Sequence, residues 1–73
     1  MADNQVRTEV TGAVWKVEMA VGDKVAEGDT IMIIESMKME IPVIAEEAGT
    51  LSEIRVKPGD PVAEGDVVAI VAG

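Results

Sequence analysis

The sequence predicts an all-β domain built twice over, with two small sheets packed face to face or a flattened barrel. A gapless internal repeat runs at an offset of 37 residues. Val, Ile and Thr dominate the stretches between glycines, as strands prefer. No stretch shows helical apolar spacing over ten or more residues.

The repeat organises the chain. Gly22-Asp23-Lys24-Val25-Ala26-Glu27-Gly28-Asp29 returns as Gly59-Asp60-Pro61-Val62-Ala63-Glu64-Gly65-Asp66. Residues 6–35 match the later copy at eleven positions, Val6/Val43, Glu9/Glu46, Gly12/Gly49 and Ile33/Ile70 among them. Two copies of one unit, related by a pseudo-two-fold axis, account for this. Within each unit, alternation in Val17-Glu18-Met19-Ala20-Val21 and Ile54-Arg55-Val56 reads as strand, and the glycines mark turns. Pro61 has no N–H to donate, so it belongs at a strand start or an edge.

Composition excludes most chemistry. With 73 residues the chain is one domain, and a domain of about 60 residues buries only about 60% of its unfolded surface. It has no His, Cys, Tyr or Phe. No Ser–His pair, thiolate or His-based metal site is available, so we assign no catalytic residue and no metal. The net charge of −8 argues against nucleic acid and against an anionic membrane surface. No apolar run approaches the roughly 20 residues that span a bilayer, and Met1–Gln5 has no signal-peptide character. A cytoplasmic monomer is the expectation.

Between the two units lies Glu35-Ser36-Met37-Lys38-Met39-Glu40, flanked by the strand-like runs Thr30–Ile34 and Ile41–Ile44. We expect a β-hairpin with Met37 and Lys38 at its turn. The offset carries Lys38 to position 1 or 74, so the pseudo-symmetry mate of this tip is the pair of chain ends. One pole should hold the termini and the other Lys38. This hexapeptide, centred between two Gly-Asp-x-Val-x-x-Gly repeats, resembles the biotin attachment motif (Ala-Met-Lys-Met) of biotinyl domains, over about Val6–Val71. The likeness is greatest to free-standing biotin/lipoyl attachment proteins, with a single carrier domain over residues 1–73 and residues 1–5 flexible.

That resemblance implies a barrel-sandwich hybrid, a flattened β-barrel of two four-stranded antiparallel sheets. It implies biotin joined covalently to Lys38 by a biotin protein ligase, which supplies the biotinyl-adenylate while the domain supplies the amine. The arm would carry a carboxyl group between biotin carboxylase and carboxyltransferase, making the chain a carrier and not an enzyme. Lysine suits this through its flexible four-carbon stem, and tethering makes each transfer quasi-intramolecular. Met37, Met39 and Ser36 are implied in ligase recognition, with Glu35 and Glu40 framing the tip as further candidates. Amide formation removes one positive charge.

The sequence departs from the family pattern in three ways. Ser36 stands where the family usually has Ala. Glu9 and Glu46 stand where many members have Pro. The gapless repeat leaves no room for the protruding thumb loop of many acetyl-CoA carboxylase carriers. Blander readings compete with the functional ones. Met37 and Met39 could be inward-packed core, Trp15 a chance surface residue, and the Gly-Asp steps plain turn geometry. Lipoate on Lys38, attached by lipoylating enzymes, is the alternative cofactor; the flanking methionines favour biotin. An unmodified interaction module of the same fold is a third reading. A phosphocarrier needs a histidine and is excluded.

Overall fold

Glycine and aspartate set where the strands stop. Gly22, Gly28, Gly59 and Gly65 have φ of 99°, 91°, 93° and 91°, in the region that a Cβ disfavours. Each is third in a four-residue turn closed by Asp. The Asp23 N–H donates to the Ala20 carbonyl (3.0 Å), and Asp23 Oδ2 accepts the Ala20 N–H (2.9 Å). The same two bonds close Ala26–Asp29, Lys57–Asp60 and Ala63–Asp66. Positive φ at the third position is type II geometry, and the carboxylate satisfies an N–H left outside the ladder. The repeated octet therefore opens and closes on Gly-Asp for a structural reason: turn geometry.

The computed structural model of the chain describes residues 3–73. Its strands are β1 (Asp3–Arg7), β2 (Gly12–Val17), β3 (Lys24–Val25), β4 (Thr30–Ser36), β5 (Met39–Ile44), β6 (Gly49–Ile54), β7 (Pro61–Val62) and β8 (Val67–Ala72). They form two four-stranded antiparallel sheets, β1-β8-β6-β3 and β5-β4-β2-β7. Exchanging the repeats (β1 with β5, β2 with β6, β3 with β7, β4 with β8) turns one order into the other. Each repeat gives two strands to each sheet, so the units interlock. Even the irregularities are shared: β2 shifts register at Trp15 and β6 at its mate Ser52. Both sheets keep open edges and do not close into a true barrel.

The core lies between the sheets. Ile31, Met32 and Ile34 face Leu51, Val68 and Val71, all essentially inaccessible. Thr8 is the polar residue buried among them, and its hydroxyl bonds both the Val10 N–H (3.2 Å) and the Val10 carbonyl (3.0 Å). No buried side-chain N or O among the described residues lacks a partner, as burial demands. Pro61 begins β7 and Pro42 lies in β5, both edge strands. The alternation at Val17–Val21 outlasts its ladder. β2 ends at Val17, yet Val17 and Met19 pack on the core while Glu18 and Ala20 face solvent.

The two chain ends pair with each other. Asp3, Asn4 and Gln5 pair with Ala72, Val71 and Ile70; Met1 and Ala2 lie outside the described residues. Polar composition masks this strand, because β1 is an edge strand whose outward positions are solvated. The Asp3–Ala72 end is the symmetry mate of the Glu40–Glu35 pair in the central hairpin. Chain ends and hairpin tip occupy opposite ends of a body measuring 36 × 19 × 18 Å.

Candidate functional site

β4 and β5 form the hairpin, and Ser36 opposite Met39 is its last pair. Met37 and Lys38 make the turn with φ of 51° and 66°. Two successive positive φ values define a type I′ connection, whose twist matches that of the flanking strands. Asn-Gly normally relieves the Cβ penalty there. Met37-Lys38 does not, and each residue adds about 1 kcal/mol of strain. Strain held at an exposed tip is a mark of function over stability. Met37→Asn is accordingly expected to raise the melting midpoint by about 4 °C, which a thermal melt checks.

The tip stands in solvent. Met37 is 93% exposed and Met39 63%, so the reading of either as core is set aside. Lys38 is exposed and takes part in neither ion pair of the described residues, Lys16–Glu18 and Arg55–Glu53. Glu35 and Glu40, both exposed, sit directly opposite each other at the hairpin base. Like charges so placed disfavour the pair.

Ser36 does more than match Ala in size. Its hydroxyl donates to the Thr11 carbonyl at 2.7 Å, and Thr11 Oγ1 accepts the Glu64 N–H at 3.1 Å. The adjacent Gly12 lies so close to β4 that a Cβ would run into the Glu35 carbonyl oxygen. The root of the hairpin is thus clamped to the β1–β2 connection. Sequence reasoning missed Thr11. The identity of Gly12 with Gly49 was the one available signal, since Gly49 makes the same close approach to the Ala72 carbonyl. Trp15 is half-exposed, with Lys16 Nζ 4.7 Å from its ring centroid.

Among the described residues no three His, Cys, Asp or Glu side chains gather to hold a metal. No helix is long and apolar enough to cross a membrane. The candidate site is Lys38 on a hairpin whose root the Ser36–Thr11 bond ties to the β1–β2 connection.

Comparison with known proteins places the chain in a family. Residues 4–71 match the biotin/lipoyl family, described as biotin-requiring enzymes. The chain is 44% identical over 44 residues to the biotin/lipoyl attachment protein of Bacillus subtilis, covering 60% of each chain. It is 48% identical over 44 residues to the biotinylated protein TB7.3 homolog of Mycobacterium leprae, covering 60% of this chain and 62% of that one. These matches thus span about three-fifths of the curated relatives' lengths. Among solved structures, Kluyveromyces lactis urea carboxylase superposes with a TM-score of 0.94 at 42% identity, over 99% of this chain and 6% of that one. A solvent-facing lysine on a clamped turn, a fold shared with a carboxylase domain and a family match over nearly the whole chain lead to one assignment: this chain belongs to the biotin/lipoyl family of biotin-requiring proteins, as a carrier domain and not a catalytic one.

Proposed function

We propose that Lys38 is the attachment lysine and that the domain carries a carboxyl group on amide-linked biotin. The observation that carries this reading is the placement of Lys38: exposed, in a strained two-residue turn, at the pole opposite the chain ends. When bound, biotin supplies a ureido nitrogen able to carry a carboxyl group. Everything else falls to the chain. The Lys38 amine bonds the activated biotin carboxyl carbon, the adenylate supplied by the ligase leaves, and the nitrogen gives up its proton. Met37 and Met39 offer adaptable apolar contact to the ligase, and Glu35 and Glu40 offer charge. The Ser36–Thr11 bond holds the root so that the tip keeps its aim.

The partners follow from the same reading. A domain superposing on part of a urea carboxylase fits a carboxylase system, with one enzyme loading the arm and a second unloading it. Tethering raises effective concentration at both. The test is the intact mass of purified protein after incubation with a biotin protein ligase, biotin and ATP, with a parallel sample given lipoate and a lipoylating enzyme. One biotin increment per chain is expected. A lipoyl increment alone would move the cofactor to lipoate, as the name of the Bacillus relative allows. No increment in either sample would leave an unmodified interaction module.

A further inference from the structure

The pseudo-symmetry gives every outward residue of one sheet a mate on the other, so each face serves as a control for its partner. Lys16, Ile33 and Pro42 form a row across β2, β4 and β5. Ile33 lies between the fully buried Met32 and Ile34, so this row faces outward. The equivalent row on the other sheet is Glu53, Ile70 and Gln5. There, polar side chains cover the centre. Arg7 donates to Gln5 Oε1 at 2.7 Å, Arg55 pairs with Glu53 at 3.2 Å, and Ile70 is only 6% exposed.

On the sheet that carries Lys38 the cover is thinner, with Lys16 Nζ over the Trp15 ring. Pro42 stands where the mate is Gln5, Ile44 where it is Arg7, and Trp15 where it is Ser52. Trp15 is 45% exposed and Ile44 48%. Single exposed apolar residues are ordinary; here Trp15, Pro42 and Ile44 each replace a polar mate, while Glu35 against Ala72 runs the other way at the pole. Charge changes too. The polar face sets Arg7, Lys24 and Arg55 against Asp3 and Glu53. The apolar face sets Glu18, Glu35 and Glu40 against Lys16, which Glu18 already engages at 3.2 Å.

We propose that this outward face of the β5-β4-β2-β7 sheet docks the biotin carboxylase that loads the Lys38 arm, through an enzyme surface with an apolar centre and a basic rim. The inference rests on the carrier reading. Pro42 is three residues along β5 from Met39, the neighbour of Lys38, about 10 Å, so a partner seated on this face lies beside the tip. The glutamates call for a partner with positive potential at its mouth, as binding of the anionic substrates ATP and bicarbonate would favour.

The test replaces each apolar residue with the one its mate carries: Trp15→Ser, Pro42→Gln and Ile44→Arg together. Both holo-proteins are first checked for one biotin by intact mass. A purified bacterial biotin carboxylase is then assayed by ATP turnover, with free biotin as reference. KM for the triple variant is expected to rise about tenfold with kcat little changed. Should the triple variant fail to melt cooperatively, Glu18→Arg, again the mate's residue, is expected to raise KM about threefold and to flatten its dependence on salt. Unbiotinylated wild type would overturn the carrier reading and this proposal together. Biotinylation with KM unmoved would overturn this proposal alone. So would sedimentation showing that wild type dimerises and the variant does not, since the face would then belong to a second copy.

Discussion

Lys38→Arg is expected to abolish biotin incorporation and leave the melting midpoint within about 2 °C of wild type. Arginine keeps the positive charge and nearly the length. What it lacks is a nitrogen that can become a free amine, because the guanidinium stays protonated above pH of about 12. The two effects separate because Lys38 is exposed and joins no ion pair. Its backbone, at φ 66°, is no harder for Arg to adopt than for Lys. Intact mass reads the first effect and a thermal melt the second. Incorporation persisting in the variant would place the modification on another of the lysines.

Gly12→Ala is expected to lower stability sharply. The added Cβ meets the carbonyl oxygen of Glu35, with Ile34 Cγ2 at 3.1 Å beside it. The obstacle is backbone in a paired strand, so no flexible side chain can yield. Overpacking of this kind costs about 3 kcal/mol. A chain of 73 residues holds only about 4–11 kcal/mol in all, and the midpoint should fall by about 15 °C. Because Glu35 is at the hairpin root, β2 and β4 must part there, and the Ser36–Thr11 bond is expected to break. Gly49→Ala, in the same contact with Ala72 at the far pole, is the matched comparison. Both variants should lose stability, but only Gly12→Ala should also loosen amide exchange at the tip.

The repeat made much of this architecture legible. A gapless offset fixes where turns recur, and its mate-less centre singles out Lys38. Which strands share a sheet was not legible. β1 meets β8 across the whole chain, and alternation within a strand says nothing of its neighbour. The I′ turn was hidden for a different reason: Met37-Lys38 lacks the Asn-Gly chemistry that announces such turns, so the hairpin had to be found from its flanks. The Ser36–Thr11 contact joins residues 25 apart, through a backbone carbonyl that any residue would supply. No side-chain pattern encodes it. The contrast between the two outer faces was present in the sequence as mate pairs, but it acquires meaning only once the strands are assigned to sheets.

The pairing of Asp3 with Ala72 places both exits of the backbone at the pole away from Lys38. Any linker joined there would act as a pivot and the domain as a rigid boom of up to 36 Å. A flexible ten-residue linker spans about 18 Å, so the boom would contribute more reach than the linker. Turning about that pivot would sweep the tip over a shell wide enough to meet two separate active sites. The cofactor arm would then make only the final approach.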